Sequence, residues 1–254
     1  MGNLFGHENL LVYKASVDFV LLGDSLLKVA GSKPVACNHL SRAMEGIPLH
    51  IAHANCSWSA KERISYLGHA NGSALECAAC LDVLLTKRLL NDAQVIPGKR
   101  LLRQVCGMLI AMQKNASGRV CEEPADIYTT NRDLYFNHER LDVYRCALVF
   151  VAWVDDLCRG QTGRHVPEDR LDNTSTSIAL NIAEGNGRFS SIDHLRFIGI
   201  ARTATVQATA TLDLAVARHV LEVGNTQVGR QMLERIGAML TAMARNIKTR
   251  SRHA

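Results

Sequence analysis

Apolar side chains recur every three or four residues along most of the chain, which is the spacing of one face of an α-helix. The clearest run forms a stripe near the end of the sequence, at Leu233, Ile236, Leu240, Met243 and Ile247. Proline is rare, with five residues in all, and only 5% of the chain is aromatic. The pattern therefore predicts an all-α protein. Its helices are expected at about 7–30, 36–55, 59–92, 98–116, 138–160, 167–185, 190–223 and 227–250.

The chain consists of two tandem copies of one unit. Residues 5–115 align without a gap with residues 136–246, and 31 of the 111 aligned positions are identical. A period this long exceeds that of solenoid repeats, so each copy is predicted to be a complete small domain. Short connections between four helices favour an antiparallel up-down bundle. We therefore predict two tandem four-helix bundles at 1–117 and 136–254, with a linker at 118–135.

Two local features bear on the helix boundaries. Ser59 and Ser190 each stand three residues before an acidic side chain, as in a capping box at a helix start. Pro48 falls inside the second predicted helix, where proline strains the backbone. We therefore expect that helix to be kinked or to begin later.

Composition favours a protein of the reducing cytoplasm. A hydrophobic content of 47% in 254 residues is enough for two modest cores. No run approaches the roughly 18 apolar residues of a membrane span, and no basic segment precedes an apolar one near the N-terminus. The eight cysteines have irregular spacing, which predicts buried, reduced thiols in place of a disulfide framework.

One segment of the second copy is more distinctive than the rest. Residues 177–190 read SIALNIAEGNGRFS, and residues 197–202 read FIGIAR. They resemble the pattern S-I-x-x-N-I-A-E-G-x-G-R-x-S, then F-x-x-I-A-R, of the small four-helix-bundle proteins of 23S ribosomal RNA intervening sequences. That family includes the accessory variability determinant of diversity-generating retroelements. The first copy departs from the pattern, with GIPLHIAHANCSWS at 46–59, but its GSALE at 72–76 resembles the family's next stretch.

The resemblance implies a non-enzymatic bundle that assembles as a ring, typically of five units. For the retroelement member, it also implies a basic surface that binds nucleic acid and a reverse-transcriptase partner. Chains with two units cannot fill five places without leaving one unit over. We therefore expect a homo-oligomer with an even number of bundle units, or an assembly that closes differently from the five-unit ring.

The motif defines a candidate site, which we call the motif loop. It comprises Asn181, Glu184, Gly185, Gly187 and Arg188. The two glycines are predicted to end the helix in left-handed conformation, and the two charged side chains to form a local ion pair. A ligand or partner site is the alternative. The first copy lacks both glycines and both charges here, so it is expected to be structural, and any function of the motif would belong to the second copy.

The charge of the chain permits nucleic-acid binding. The formal net charge is +5, and the last ten residues hold four basic side chains and no acidic one. A solvated helix end that complements the helix dipole is the alternative. Phosphate contacts need only positive charge within reach, so binding to RNA or DNA would be sequence-independent and salt-sensitive. The predicted contacts are Arg188, Arg196, Arg202, Arg245, Lys248, Arg250 and Arg252.

Two other functions fit the same chain. A protein-only adaptor would use the bundle faces to bind another protein. Alternatively, the spacing of Arg188 and His194 resembles the Arg-x(4–6)-His of HEPN-type ribonucleases, in which arginine steadies phosphate charge and histidine transfers a proton. Arg159 and His165 have the same spacing elsewhere in the chain.

Metal and cofactor chemistry finds little support in the sequence. No glutamate has a histidine three residues on, as a di-iron bundle requires. Cys77 and Cys80 are followed by no second pair of zinc ligands at finger spacing. We therefore predict a non-catalytic scaffold or accessory protein that has no metal and no cofactor.

Overall fold

The computed structural model describes residues 6–31, 34–117, 136–160, 167–188 and 190–252. The chain divides into two compact units, Met1–Asn137 and His138–Ala254. The first contains α1 (Leu11–Ala30), α2 (Val35–Cys56), α3 (Ala60–Thr86) and α4 (Asp92–Ala116). The second contains α5 (Asp142–Arg159), α6 (Glu168–Asn186), α7 (Ser191–Ala217) and α8 (Val223–Arg252). The predicted linker, 118–135, lies outside the described residues.

Each unit is a four-helix bundle. Consecutive helices pack against each other, and the fourth helix closes on the first. The prediction of an all-α protein with two tandem four-helix bundles is therefore confirmed. Among the described residues, no helix is long and apolar enough to cross a membrane. Fully buried side chains at the bundle centres include Phe19, Leu40, Ile47, Leu102, Phe150, Leu171, Ile198 and Ile236.

The repeat extends to individual contacts. Asp82 and Lys99 form an ion pair at 2.6 Å between α3 and α4, and Asp213 and Arg230 form the equivalent pair between α7 and α8. At the start of each copy, a histidine ring packs edge-on against a tyrosine ring. The ring centres are 4.8 Å apart for His7 and Tyr13, and 4.7 Å apart for His138 and Tyr144. The recurring ion pair therefore joins the same two helices in both units, and the recurring ring contact fixes the start of the first helix in each.

Helices α3 and α7 end about six residues earlier than the apolar pattern predicts. At each end, the chain reverses through a residue in left-handed conformation, Arg88 (φ 58°) or His219 (φ 56°). The Leu89 amide then donates to the Leu84 carbonyl at 3.0 Å, as in a Schellman motif, and the second copy repeats the arrangement. Glycine usually occupies this position, and its absence hides both helix ends in the sequence.

The predicted helix starts are only partly right. Ser190 accepts a long hydrogen bond, 3.4 Å, from the Asp193 amide, whereas Ser59 makes no side-chain capping bond. The complete capping box among the described helices lies at Asn91, which exchanges bonds of 2.9 and 3.1 Å with Gln94. Of the two alternatives for α2, the late start is wrong, because the helix begins at Val35 and continues through Pro48. The kink at Pro48 stays a prediction.

Candidate nucleic-acid interface

The motif loop lies where α6 passes into α7. The sequence motif predicted Gly185 to be a turn residue. It lies instead buried within α6. A Cβ on it would approach the Phe197 Cβ to 3.0 Å and the His194 Cδ2 to 3.3 Å. Gly187 caps the helix with φ −87°, which any residue adopts. The prediction of left-handed glycines is therefore wrong, and Gly185 is needed because the two helices approach closely.

Two arginines converge on one aromatic ring at this corner. Arg188 forms the predicted local ion pair with Glu184, and both side chains are largely buried. Its guanidinium carbon lies 4.7 Å from the centre of the Phe197 ring, and that of Arg196 lies 4.4 Å from the same centre. Such cation–π contacts hold the arginine side chains in place without neutralising their charge. Phe197 is thus part of the candidate site. It lies in the family motif, but the sequence did not predict it as an interface residue.

The remaining motif residues support the helix corner. Asn181 is half-buried, and its amide group donates to the Ser177 carbonyl at 2.7 Å. His194 packs beside Gly185, and burial lowers the pKa of its imidazole. Burial therefore favours the uncharged form of the His194 ring, and the Arg188 charge is paired with Glu184.

The packing of α7 against α8 brings the other predicted arginines to the same end of the bundle. Asp213 pairs with Arg230, and the Thr205 Cγ2 lies 3.9 Å from the position of a Cβ on Gly237. Because the helices run antiparallel, counting back from these contacts places Arg245 level with Phe197. The last turns of α8 therefore lie beside the first turns of α7, at the same end of the bundle as the motif loop.

The basic residues at this end are mostly open to solvent. Arg196, Arg202, Arg245, Lys248 and Arg250 are exposed, whereas the Arg252 side chain lies outside the described residues. We call this surface, formed by the described residues of 181–202 and 241–250, the basic end. It carries six basic and two acidic side chains, a surplus of four, against a formal net charge of +5 for the whole chain. One end of one bundle thus holds a net charge close to that of the entire molecule.

The equivalent corner of the first unit has different chemistry. His50 and His53 stand at the positions of Asn181 and Glu184, and Tyr66 at that of Phe197. Ser57 replaces the motif arginine, and its carbonyl accepts a hydrogen bond of 3.1 Å from Arg63. Both units therefore have this helix corner, but only the corner of the second unit has two arginines against its aromatic ring.

Comparison with known families agrees with this architecture. The model of the 23S rRNA-intervening sequence protein family matches residues 8–111 and again residues 139–242. The chain belongs to this family. The two matches start 131 residues apart, which is the offset of the internal repeat, so this intervening-sequence protein is a tandem duplicate. No curated protein and no solved structure gives a significant match to it.

Proposed function

We propose that this protein is a non-catalytic scaffold or accessory protein that binds RNA or DNA through the basic end of its second bundle. The observation that supports the proposal is the concentration of charge described above. Five exposed basic side chains share that end with one exposed acidic side chain among the described residues, Asp193. A surface of this kind contacts phosphates independently of base sequence.

Electrostatics define how such binding responds to salt. Each phosphate neutralised by a lysine or arginine releases condensed counterions, so the affinity falls with rising salt. The exposed side chains of α8 are free to reach different phosphate spacings, whereas the exposed Arg196 is held over Phe197. We assign the flexible contacts to α8 and a fixed contact to Arg196. Arg188, largely buried and paired with Glu184, orders the corner without contacting phosphate.

The test compares two triple variants of the full chain. Arg245→Gln, Lys248→Gln and Arg250→Gln together remove three exposed charges from α8. Binding to generic single- and double-stranded RNA and DNA is measured over a salt series. We expect the slope of log affinity against log salt to fall by up to about three, since each lost phosphate contact lowers it by about one.

The matched control removes three exposed charges from the first unit, as Lys14→Gln, Lys28→Gln and Arg100→Gln. It has the same net charge as the α8 variant, and we expect its affinity to stay close to that of the wild type at moderate salt. Equal losses in the two variants would mean that net charge, and not the basic end, determines binding. No binding by the wild-type protein at low salt would contradict the proposal and favour the protein-only adaptor.

We further propose that the protein assembles through bundle faces into a homo-oligomer. Every chain contributes two units, so the number of units in any assembly of this chain alone is even. A reverse-transcriptase gene beside the gene for this protein would supply a partner consistent with the accessory role. The ribonuclease alternative requires cleavage that is lost in both Arg188→Ala and His194→Ala, and we expect none, because Glu184 already neutralises Arg188.

A further inference from the structure

The motif corner of the first unit holds a cluster of histidines that its counterpart lacks. His50 and His53 lie one turn apart on α2, and His69 lies across from them on α3. The ring centres of His50 and His69 are 5.4 Å apart, and those of His50 and His53 are 6.4 Å apart. The aligned positions in the second unit are Asn181, Glu184 and Ile200. The first copy has therefore exchanged the motif side chains for imidazoles on two adjacent helices.

The separation of His50 and His69 is close to that of two histidines that share a metal ion, and that of His50 and His53 is about one ångström longer. Zinc–nitrogen bonds of about 2.0–2.1 Å in tetrahedral geometry place the centres of two bound imidazoles roughly 5 Å apart. His53 and His69 are exposed, so their rings can rotate about the side-chain bonds to bring nitrogens toward one point. Imidazole suits zinc, copper and nickel ions.

We propose that His50, His53 and His69 form a binding site for a divalent transition-metal ion of the zinc type. Three imidazoles and a solvent molecule complete a four-coordinate shell. The site belongs to the first unit alone and is separate from the nucleic-acid interface proposed for the second. The diverged copy thus acquires a ligand site at the position where the family motif is lost.

Tyr66 holds the cluster together. Its ring centre lies 5.0 Å from that of His53, 6.0 Å from that of His69 and 6.1 Å from that of His50. Packing around one half-buried ring limits the conformations that the imidazoles sample and lowers the entropy lost when a metal orders them. The tyrosine therefore positions the ligands without being one of them.

The experiment titrates the full chain with ZnCl2 by calorimetry, after treatment with a chelator and its removal. We expect one saturable zinc site in the wild type. The variant His53→Gln with His69→Gln is expected to lose at least about tenfold in affinity. Both side chains are exposed, so circular dichroism and the unfolding transition should be unchanged.

Two controls separate this site from other zinc ligands. His39→Gln with His219→Gln removes two histidines outside the cluster, and Cys56→Ser removes the exposed thiol at the end of α2. Both are expected to retain the wild-type affinity. The absence of saturable binding would overturn the proposal, as would an equal loss of affinity in either control. Binding of Co²⁺ with the visible absorption of a four-coordinate ion, absent in the double histidine variant, would support it.

Discussion

Single residues determine where several helices end and how closely they approach. Arg88 and His219 adopt left-handed conformation at the ends of α3 and α7, where a side chain with a Cβ costs roughly 1–2 kcal/mol. Gly185 allows Phe197 to pack against α6. Neither role is visible in the sequence, because left-handed positions usually carry glycine and the motif glycines look like turn residues.

The left-handed residue that follows α7 leads to a prediction about stability. His219→Gly removes the steric strain but gives the unfolded chain more freedom, so we expect the free energy of unfolding to rise by about 0.5–1 kcal/mol. Urea denaturation followed by circular dichroism measures the change. His219→Ala retains a Cβ and should give no gain. An equal gain in both variants would show that the effect does not come from the backbone.

At the scale of elements, equivalent helices of the two copies differ in the backbone free energy needed to form them. Pro48 lies within α2 and cannot donate to the Met44 carbonyl, whereas the aligned residue in α6 is Ala179. Helix α2 forms in spite of this because one apolar face of it, from Ala36 to Ala54, is buried in the bundle. Tertiary packing therefore overrides the local preference that predicted a late start.

Exchanging these aligned residues tests the cost of proline in each unit. We expect Pro48→Ala to raise the free energy of unfolding of the first unit by about 1–3 kcal/mol, and Ala179→Pro to lower that of the second by about 3 kcal/mol or more. Hydrogen exchange read out by mass spectrometry assigns each change to its unit. A destabilising Pro48→Ala variant would mean that the proline ring makes packing contacts that outweigh its backbone cost.

At the scale of the whole molecule, the two units carry different reactive and charged side chains. The buried thiols among the described cysteines are Cys37, Cys77, Cys80 and Cys106, all in the first unit. The basic end belongs to the second unit. Duplication followed by divergence therefore leaves similar bundles with different surfaces and cores.

The buried thiols give a pH-dependent prediction. Burial raises the pKa of Cys77, Cys80 and Cys106, the last to about 12. In the unfolded chain these thiols ionise near their ordinary pKa of 9.0. The stability they contribute is therefore complete below pH 9 and is lost as the pH rises from there toward 12. Iodoacetamide should modify the exposed Cys56 in the folded protein at pH 8 while these three stay unmodified, as peptide mass spectrometry will show.

The control for this prediction is the same reaction in denaturant, where all eight cysteines should be alkylated. Rapid alkylation of Cys106 under native conditions would contradict the buried position of its thiol. Variants in which Cys77, Cys80 and Cys106 are replaced by alanine should lose less stability between pH 8 and pH 10 than the wild type. Alanine has no proton to release in either state.

The sequence by itself determined the helical class, the duplication, the family and the residues of the motif. Periodicity, internal identity and a linear pattern are all properties of neighbours along the chain. Only the tertiary structure decided which distant residues meet. The register of α7 against α8 gathers Arg196, Arg202 and Arg245 at one end of the bundle, and the packing of α2 against α3 brings His50 beside His69. Such contacts depend on side-chain interlocking between helices, which the spacing within one helix does not specify.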